Sequence, residues 1–151
     1  MRIAIGSDHA GFELKESVKR ALEAEGHQVA DLGTYTTEST DYPEFAFKVA
    51  EAVVRGEVER GVLMCNTGIG MSIAANKVPG VRAAQVLDEE SARLTRSDND
   101  SNVITFGRTT VTPEHALGIL RVWLTTPFSR AGHHERRVAK IEDYERRAAG
   151  A

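Results

Sequence analysis

Short apolar runs alternate along this chain with segments of helical period. The runs occupy residues 3–6, 28–32, 61–65, 83–87 and 103–106. Each run is brief and apolar at consecutive positions, which is typical of strands that helices cover on both faces of a sheet. We therefore predict about five buried parallel strands.

The segments between these runs have the residue spacing of amphipathic helices. Thr112-Pro113 predicts a capped helix start, and the acidic run 88–90 predicts the first turn of a helix that reaches about Arg96. Val138, Ile141 and Tyr144 indicate a final helix, expected over about 134–147. The apolar stripes that indicate the other helices are Leu14, Val18, Ala21 and Leu22; Ala46, Val49, Ala50 and Val53; and Ala116, Leu120 and Trp123, with Leu117 and Leu124.

Strand-helix alternation of this kind indicates parallel strands joined by right-handed crossovers. The predicted fold is α/β, a Rossmann-like three-layer α/β/α sandwich in a single domain over residues 1–151. In such sheets, ligands bind where the strands end. Loops 6–11, 65–70 and 97–100 carry unusual polar residues, and we expect them to meet at the carboxyl ends of the strands.

Composition narrows the function classes. The net charge is −3 at pH 7, which gives no reason to expect nucleic acid or an anionic membrane as a partner. No apolar run has the length of a membrane span, and the chain enters a predicted strand at once, so we expect no signal peptide. The single cysteine fits a cytoplasmic protein, and the histidines show no paired zinc-ligand spacing.

The only cysteine, Cys65, stands directly before a Thr-Gly-x-Gly turn between a predicted strand and a predicted helix. A dinucleotide fingerprint would need a third glycine at the position of Ile73, so a nicotinamide cofactor is disfavoured. The turn does offer main-chain N–H groups for a phosphate or a developing oxyanion, and a helix start favours the thiolate. Cys65 is equally compatible with a small core side chain, and Thr67 with an N-cap.

The other polar loops leave alternatives open. Asp8-His9 follows a strand and is expected to face a ligand. The segment 98–100 is rich in Asx residues and favours a turn, since such residues are common turn formers. The run 133–137 is either a solvated helix start or a cationic clamp for phosphate, for which arginine is well suited.

Four segments together resemble the family of ribose 5-phosphate isomerase type B and the galactose 6-phosphate isomerase subunits. The similarity runs from Arg2 to about Ile141. The segments are Gly6-Ser7-Asp8-His9-Ala10-Gly11-Phe12, Thr40-Asp41-Tyr42-Pro43, Cys65-x-Thr67-Gly68-x-Gly70 with Ser72-Ile73-Ala74-Ala75-Asn76-Lys77, and Asn99-Asp100-x-Asn102-Val103.

The resemblance implies aldose–ketose isomerisation of a sugar phosphate through an enediolate, without metal or cofactor. It implies a homodimer, or a tetramer of paired dimers, whose sites combine residues of two subunits, with the final helix packed on a partner. Cys65 matches the general base, and Thr67 belongs to the anion hole. The other matched positions are substrate-binding residues: Asp8, His9, Asn66, Gly68, Ile69, Gly70, Asn99, His133 and Arg137.

Two positions depart from the family pattern, and both bear on substrate choice. Asp98 stands where the resemblance places a ring-opening histidine, and an aspartate is mostly ionised at pH 7. His133 replaces a phosphate-binding arginine, for which Arg130 or Arg108 could compensate. A tetrose 4-phosphate, which cannot close a furanose ring, is therefore an alternative substrate. Two further alternatives are a non-catalytic sugar-phosphate-binding protein and, more distantly, an NAD-linked oxidoreductase.

Overall fold

A five-stranded parallel sheet forms the centre of the molecule, in the order β2-β1-β3-β5-β4. The computed structural model describes residues 1–150. The strands are β1 (Arg2–Ser7), β2 (Gln28–Asp31), β3 (Arg60–Cys65), β4 (Ala83–Gln85) and β5 (Val103–Gly107). The helices are α1 (Phe12–Ala24), α2 (Tyr42–Val54), α3 (Ile69–Ala75), α4 (Glu89–Asn99), α5 (Pro113–Thr125) and α6 (Gly132–Ala149). The predicted α/β architecture is confirmed.

Alternate side chains of the central strands enter two separate apolar layers. Ile3 and Ile5 face a layer that contains Trp123, while Ala4 between them faces the other layer. There are two layers because successive strand side chains point to opposite faces of the sheet, and helices cover each face. Trp123 donates from Nε1 to Ser101 Oγ at 2.9 Å, so its one polar atom is satisfied inside the core.

The two edge strands differ from the prediction of burial on both faces. β2 alternates between exposed and half-buried residues, and β4 is half-buried at Ala83 and Ala84 but exposed at Gln85. An edge strand has a neighbour on one side only, so helix layers that cover the centre do not cover it fully. The prediction holds for β1, β3 and β5, and it is wrong for the edges.

Predicted helix starts are confirmed where a side chain caps them. Asp88 Oδ1 accepts the Ser91 N–H at 2.7 Å, and Thr112 Oγ1 accepts the His115 N–H at 3.1 Å. These bonds begin α4 and α5 where the sequence indicates. None of the helices in residues 1–150 is long and apolar enough to cross a membrane.

The last helix, α6, packs on α4 and leaves most of its apolar residues exposed. Val138 is its only buried residue in the described chain. Ile141 is 53% exposed and Tyr144 is 70% exposed, although both belong to the apolar stripe that predicted this helix. One protomer therefore does not provide the surface that this stripe could pack on.

Candidate active site

Cys65 is the last residue of β3, and the turn that follows holds its sulfur. The Gly68 N–H donates to Cys65 Sγ at 3.1 Å, which Gly68 can do because its backbone is left-handed, with φ +81°. Cys65 is 5% exposed and packs in the apolar layer on the α2 and α3 side. Cys65 is thus a core side chain by packing, and its role as a base stays a prediction.

Contacts with β5 fix the position of the turn. Thr105 Oγ1 donates to the Gly68 carbonyl at 2.8 Å. A Cβ placed on Gly107 would lie 2.4 Å from the Thr67 carbonyl carbon, so only glycine allows β5 to approach this closely. The turn is therefore clamped between two central strands.

The first turn of α3 presents main-chain donors beside the sulfur. The predicted N-cap at Thr67 is wrong by one residue: Gly68 is the N-cap, and Thr67 Oγ1 instead accepts the Ile69 N–H at 3.2 Å. The Gly70 N–H meets no acceptor within residues 1–150, as expected for the first turn of a helix. The side-chain hydroxyl of Thr67 and this amide are the groups available for an oxyanion.

The loop after β1 lies against the same end of β3. Asp8 is buried; its N–H donates to the Met64 carbonyl at 3.3 Å, and its Oδ1 accepts the Gly11 N–H at 3.0 Å. The carboxylate thus shapes the loop. A Cβ on Gly11 would lie 2.5 Å from the Met64 oxygen, which shows how closely the loop approaches β3.

His9 is held in one orientation by Thr40. The His9 N–H donates to Thr40 Oγ1 at 3.1 Å, and His9 Nδ1 accepts the Thr40 N–H at 3.1 Å. Because Nδ1 is an acceptor here, the neutral ring carries its proton on Nε2. His9 is therefore oriented to donate a hydrogen bond from Nε2.

His9 lines an open cleft of about 770 Å³ together with Arg108. Arg108 Nε donates to Asn66 Oδ1 at 3.0 Å, so the guanidinium is tied to the turn after Cys65. The other residues that line the cleft are Ala10, Glu13, Leu14, Ser17, Thr37, Val111 and Pro113. A guanidinium and an imidazole donor on one cleft are suited to a phosphate group.

The segment 97–100 lies at the opposite end of the sheet. Residues 97–99 form the last turn of α4, Asp100 ends the helix with φ 50°, and the chain then enters β5 at Val103. Cys65 pairs with Gly107 at the other end of β5. The expectation that loops 6–11, 65–70 and 97–100 meet within one chain is wrong, because the third precedes a strand and does not follow one.

Two groups of predicted site residues therefore form, separated by a strand length of roughly 15–20 Å. The carboxyl-end group contains Asp8, His9, Cys65, Asn66, Thr67, Gly68, Ile69 and Gly70. The amino-end group contains Asp98, Asn99, His133 and Arg137, from the end of α4 and the start of α6. The Ser129 N–H donates to the Ser97 carbonyl at 3.0 Å and joins these two helix ends.

His134 brings the amino-end group together. Its Nε2 lies 3.6 Å from Asp98 Oδ1, and its Nδ1 lies 2.5 Å from Ser129 Oγ. The ring centroids of His133 and His134 are 4.1 Å apart. His134 stands in the run 133–137, but no role of its own was predicted for it, because only the fold places it against Asp98.

The environment of His133 opposes its protonation. Positive charge at His134, then burial, then Arg137 and Arg136 hold the pKa of His133 below its usual value, although Asp98 raises it in part. A positive charge on His133 is therefore disfavoured. Arg137 then supplies the permanent positive charge among the predicted site residues at this end.

Comparison with known proteins agrees with this architecture. A sequence model described as Ribose/Galactose Isomerase matches residues 3–141. Ribose-5-phosphate isomerase B of Escherichia coli K12 is 45% identical over 146 residues, covering 97% of each chain.

Two solved structures are also similar. A Clostridium thermocellum ribose-5-phosphate isomerase B has a TM-score of 0.95 and 47% identity, covering 98% of this chain and 99% of that one. A Mycoplasma genitalium ribose-5-phosphate isomerase B with bound ribulose 5-phosphate has a TM-score of 0.90 and 39% identity, covering 96% of each chain. The resemblance inferred from the sequence motifs is confirmed, and the chain belongs to the ribose/galactose isomerase family.

Proposed function

We propose that this protein interconverts ribose 5-phosphate and ribulose 5-phosphate, as an aldose–ketose isomerase whose active sites each combine two subunits. Membership of the ribose/galactose isomerase family supports the reaction class, and the names of the relatives support the substrate. The shared site rests on one observation: the predicted site residues form two groups at opposite ends of the sheet.

A two-fold arrangement of two copies would bring these groups together. The carboxyl-end group of one copy would meet the amino-end group of the other, and the symmetry would produce two equivalent sites. Exposed apolar residues lie on or beside the elements that carry both groups, as an interface requires. They are Ile69, Ile73, Leu87, Leu94, Ile141 and Tyr144.

In the proposed reaction, Cys65 as thiolate removes the proton from C2 of the open-chain aldose. The C–H electron pair forms the C1–C2 double bond, and the carbonyl electrons move to O1. The hydroxyl of Thr67 and the free N–H of Gly70 are the donors for this negative charge. The O2 proton then moves to O1, and the O2 electrons form the C2 carbonyl while the C1–C2 double-bond pair takes the proton from Cys65 at C1. This gives the ketose and regenerates the thiolate.

The substrate phosphate is assigned to positive and donor groups from both copies. One copy contributes Arg108 and the Nε2 donor of His9 from the cleft. The second copy contributes Arg137, since the lowered pKa of its neighbour His133 disfavours a positive charge there. Arginine pairs with phosphate by two parallel hydrogen bonds, which fixes the substrate as well as attracting it.

Solvent exchange tests the chemical step directly. The wild-type protein should convert ribose 5-phosphate and incorporate deuterium from D₂O at C1 of ribulose 5-phosphate. Cys65→Ser should lose both by about 10²-fold or more, because a hydroxyl is a far weaker base at this position. Ala52→Ser, which places a hydroxyl in the same apolar layer on α2 and away from the turn, is a matched control for folding. Undiminished exchange in Cys65→Ser contradicts the role of the sulfur.

Mixing two inactive variants tests the shared site. Cys65→Ser damages one group, and Arg137→Ala damages the other. Random reassortment of the two chains should restore about a quarter of the wild-type activity, because half of the dimers then hold one intact site out of two. Activity that stays at the level of the separate variants contradicts a site built from two copies.

A tetrose 4-phosphate is the second candidate substrate, and Asp98 and His133 favour it because they depart from the family pattern. Measuring kcat/KM for ribose 5-phosphate beside that for erythrose 4-phosphate separates the two. A preference for ribose 5-phosphate that Asp98→His does not improve removes the tetrose alternative. Substrate-dependent deuterium exchange of either sugar excludes a protein that only binds.

A further inference from the structure

Asp98 and His134 form a carboxylate–imidazole pair in which Asp98 Oδ2 and His134 Nε2 make no hydrogen bond within residues 1–150. The distance from His134 Nε2 to Asp98 Oδ1 is 3.6 Å, so the pair is in electrostatic contact but beyond hydrogen-bond reach. Ser97 Oγ donates to the same Oδ1 at 2.7 Å. Asp98 Oδ2 has no hydrogen-bond partner within residues 1–150. A ligand can therefore reach both Oδ2 and the Nε2 position.

The second ring nitrogen of His134 is engaged and fixes the ring. Nδ1 lies 2.5 Å from Ser129 Oγ, and Ser129 is itself bonded through its N–H to the Ser97 carbonyl. The imidazole side chain is 17% exposed and the Asp98 side chain 38%. A carboxylate–imidazole contact this accessible contributes little to stability. Its position in the amino-end group is more informative than its strength.

The proposed substrate creates a need for such a pair. In water an aldopentose 5-phosphate closes through its 4-hydroxyl into a furanose, and the isomerisation requires the open aldehyde. Opening the ring requires a base for the O1 proton and an acid for the ring oxygen. Asp98 as a carboxylate serves only as the base, because a carboxylate has no proton to donate to the ring oxygen. Imidazole is the side chain that changes protonation in the neutral range.

We propose that Asp98 and His134 together open the sugar ring, with Asp98 as base and His134 as acid. The inference rests on the proposed function, because the pair must lie beside the carboxyl-end group of a second copy. Asp98 Oδ2 takes the proton from O1, and the O1–H electron pair forms the C1 carbonyl. The C1–O4 bond breaks with its electrons going to O4, which takes the proton from His134 Nε2.

The pair then returns to its starting state without any reactant other than water. After opening, Asp98 is protonated and His134 is neutral. Because both side chains are partly exposed, Asp98 returns its proton to solvent water and His134 takes one up from it. The neighbouring His133 ring, whose centroid lies 4.1 Å from that of His134, takes no part in this transfer. His134 on α6 thus donates the proton that the ring oxygen needs and that Asp98 does not donate.

The direction of the reaction separates ring opening from isomerisation. Ribulose 5-phosphate cannot form a furanose, because its 5-hydroxyl carries the phosphate. His134→Asn should therefore lower kcat/KM for ribose 5-phosphate by about 10²-fold, the usual range for a general acid. Deuterium incorporation at C1 of ribulose 5-phosphate should stay within about threefold of wild type, since this sugar has no furanose ring to open before its C1 proton is removed. At high concentrations of the variant, the forward rate should stop rising with enzyme, because uncatalysed ring opening limits it.

Three comparisons complete the test. Asp98→Asn should reproduce the loss in one direction, while His115→Asn, an exposed histidine outside both groups, should change neither direction. Equal loss in both directions for His134→Asn assigns the residue to binding or folding and overturns the proposal, as does no loss in either. A wild-type protein inactive on both sugars refutes the proposed function instead. Retained deuterium exchange in His134→Asn itself shows a folded site.

Discussion

Lys15 is the most deeply buried charged residue of the chain, and its removal should be costly. Its side chain is fully buried on α1, and Nζ donates to Asp31 Oδ1 at 2.7 Å and Oδ2 at 2.6 Å. Nζ also lies 5.4 Å from the ring centroids of Phe12 and Tyr35. Lys15→Met keeps the volume and removes the charge, which leaves Asp31, at 11% side-chain exposure, without its main partner.

The magnitude follows from what remains around Asp31. Removing one partner of a buried ion pair costs about 3–5 kcal/mol. Lys19 Nζ at 3.2 Å and the Gly33 N–H at 3.0 Å still contact the carboxylate, which places the expected loss near about 3 kcal/mol. For a domain of this size the melting temperature should fall by roughly 6–12 °C.

Urea unfolding followed by circular dichroism, at one fixed protein concentration, measures this loss. The double variant Lys15→Met with Asp31→Asn should recover most of the stability, since no unpaired charge stays buried. Lys19→Met, whose partly exposed ion pair involves the same carboxylate, should cost less than about 1 kcal/mol. The reasoning is refuted if the single and double variants lose the same free energy, or if Lys15→Met behaves like Lys19→Met.

Three other predictions concern acid stability, phosphate binding and the turn. Burial raises the pKa of Asp31, but hydrogen bonds, first from Lys15, lower it more. The carboxylate therefore stabilises the fold fully above about pH 4, and this stabilisation is lost as the pH falls through the folded-state pKa. Asp31→Asn should flatten that part of the curve of unfolding free energy against pH. His133→Arg should lower KM for the sugar phosphate with little change in kcat, because it restores a permanent charge. Gly107→Ala should lower kcat by about tenfold or more in a steady-state assay, because its Cβ would displace Thr67.

The sequence predicted the strands and helices well where burial and period agree. The acidic run that begins at Asp88 and the predicted cap at Thr112 placed two helix starts correctly, and the structure shows that both residues cap their helices. The edge strands were mispredicted because an apolar run shows that a segment can be buried, whereas sheet order decides whether neighbours cover it. The buried Lys15 gave no signal either, since its partner Asp31 lies on a different element and a charge in a helix usually faces solvent.

The sequence predicted which residues belong to the candidate site, but it did not predict where in the fold all of them lie. The motif around Cys65 and the Asp8-His9 pair were recognised as chemistry, and the fold brings them to one end of the sheet. Asp98 was expected beside them because polar loops were assumed to follow strands. The order of the predicted elements already places segment 97–100 between a helix and the strand that begins at 103, and the expectation overlooked this order. The contact with His134 arises from packing between α4 and the start of α6, which no local pattern encodes.

The clamping of the Cys65 turn between β3 and β5 has a consequence for how this protein can change over evolutionary time. These are interior strands, whose amides should be the slowest to exchange with solvent, whereas the ends of α4 and α6 lie at the periphery. Substitutions at the helix ends, such as those at Asp98 and His133, can alter which sugar is accepted while the proton-transfer machinery stays intact. Substrate selectivity can therefore change in this fold while the residues of the Cys65 turn stay the same.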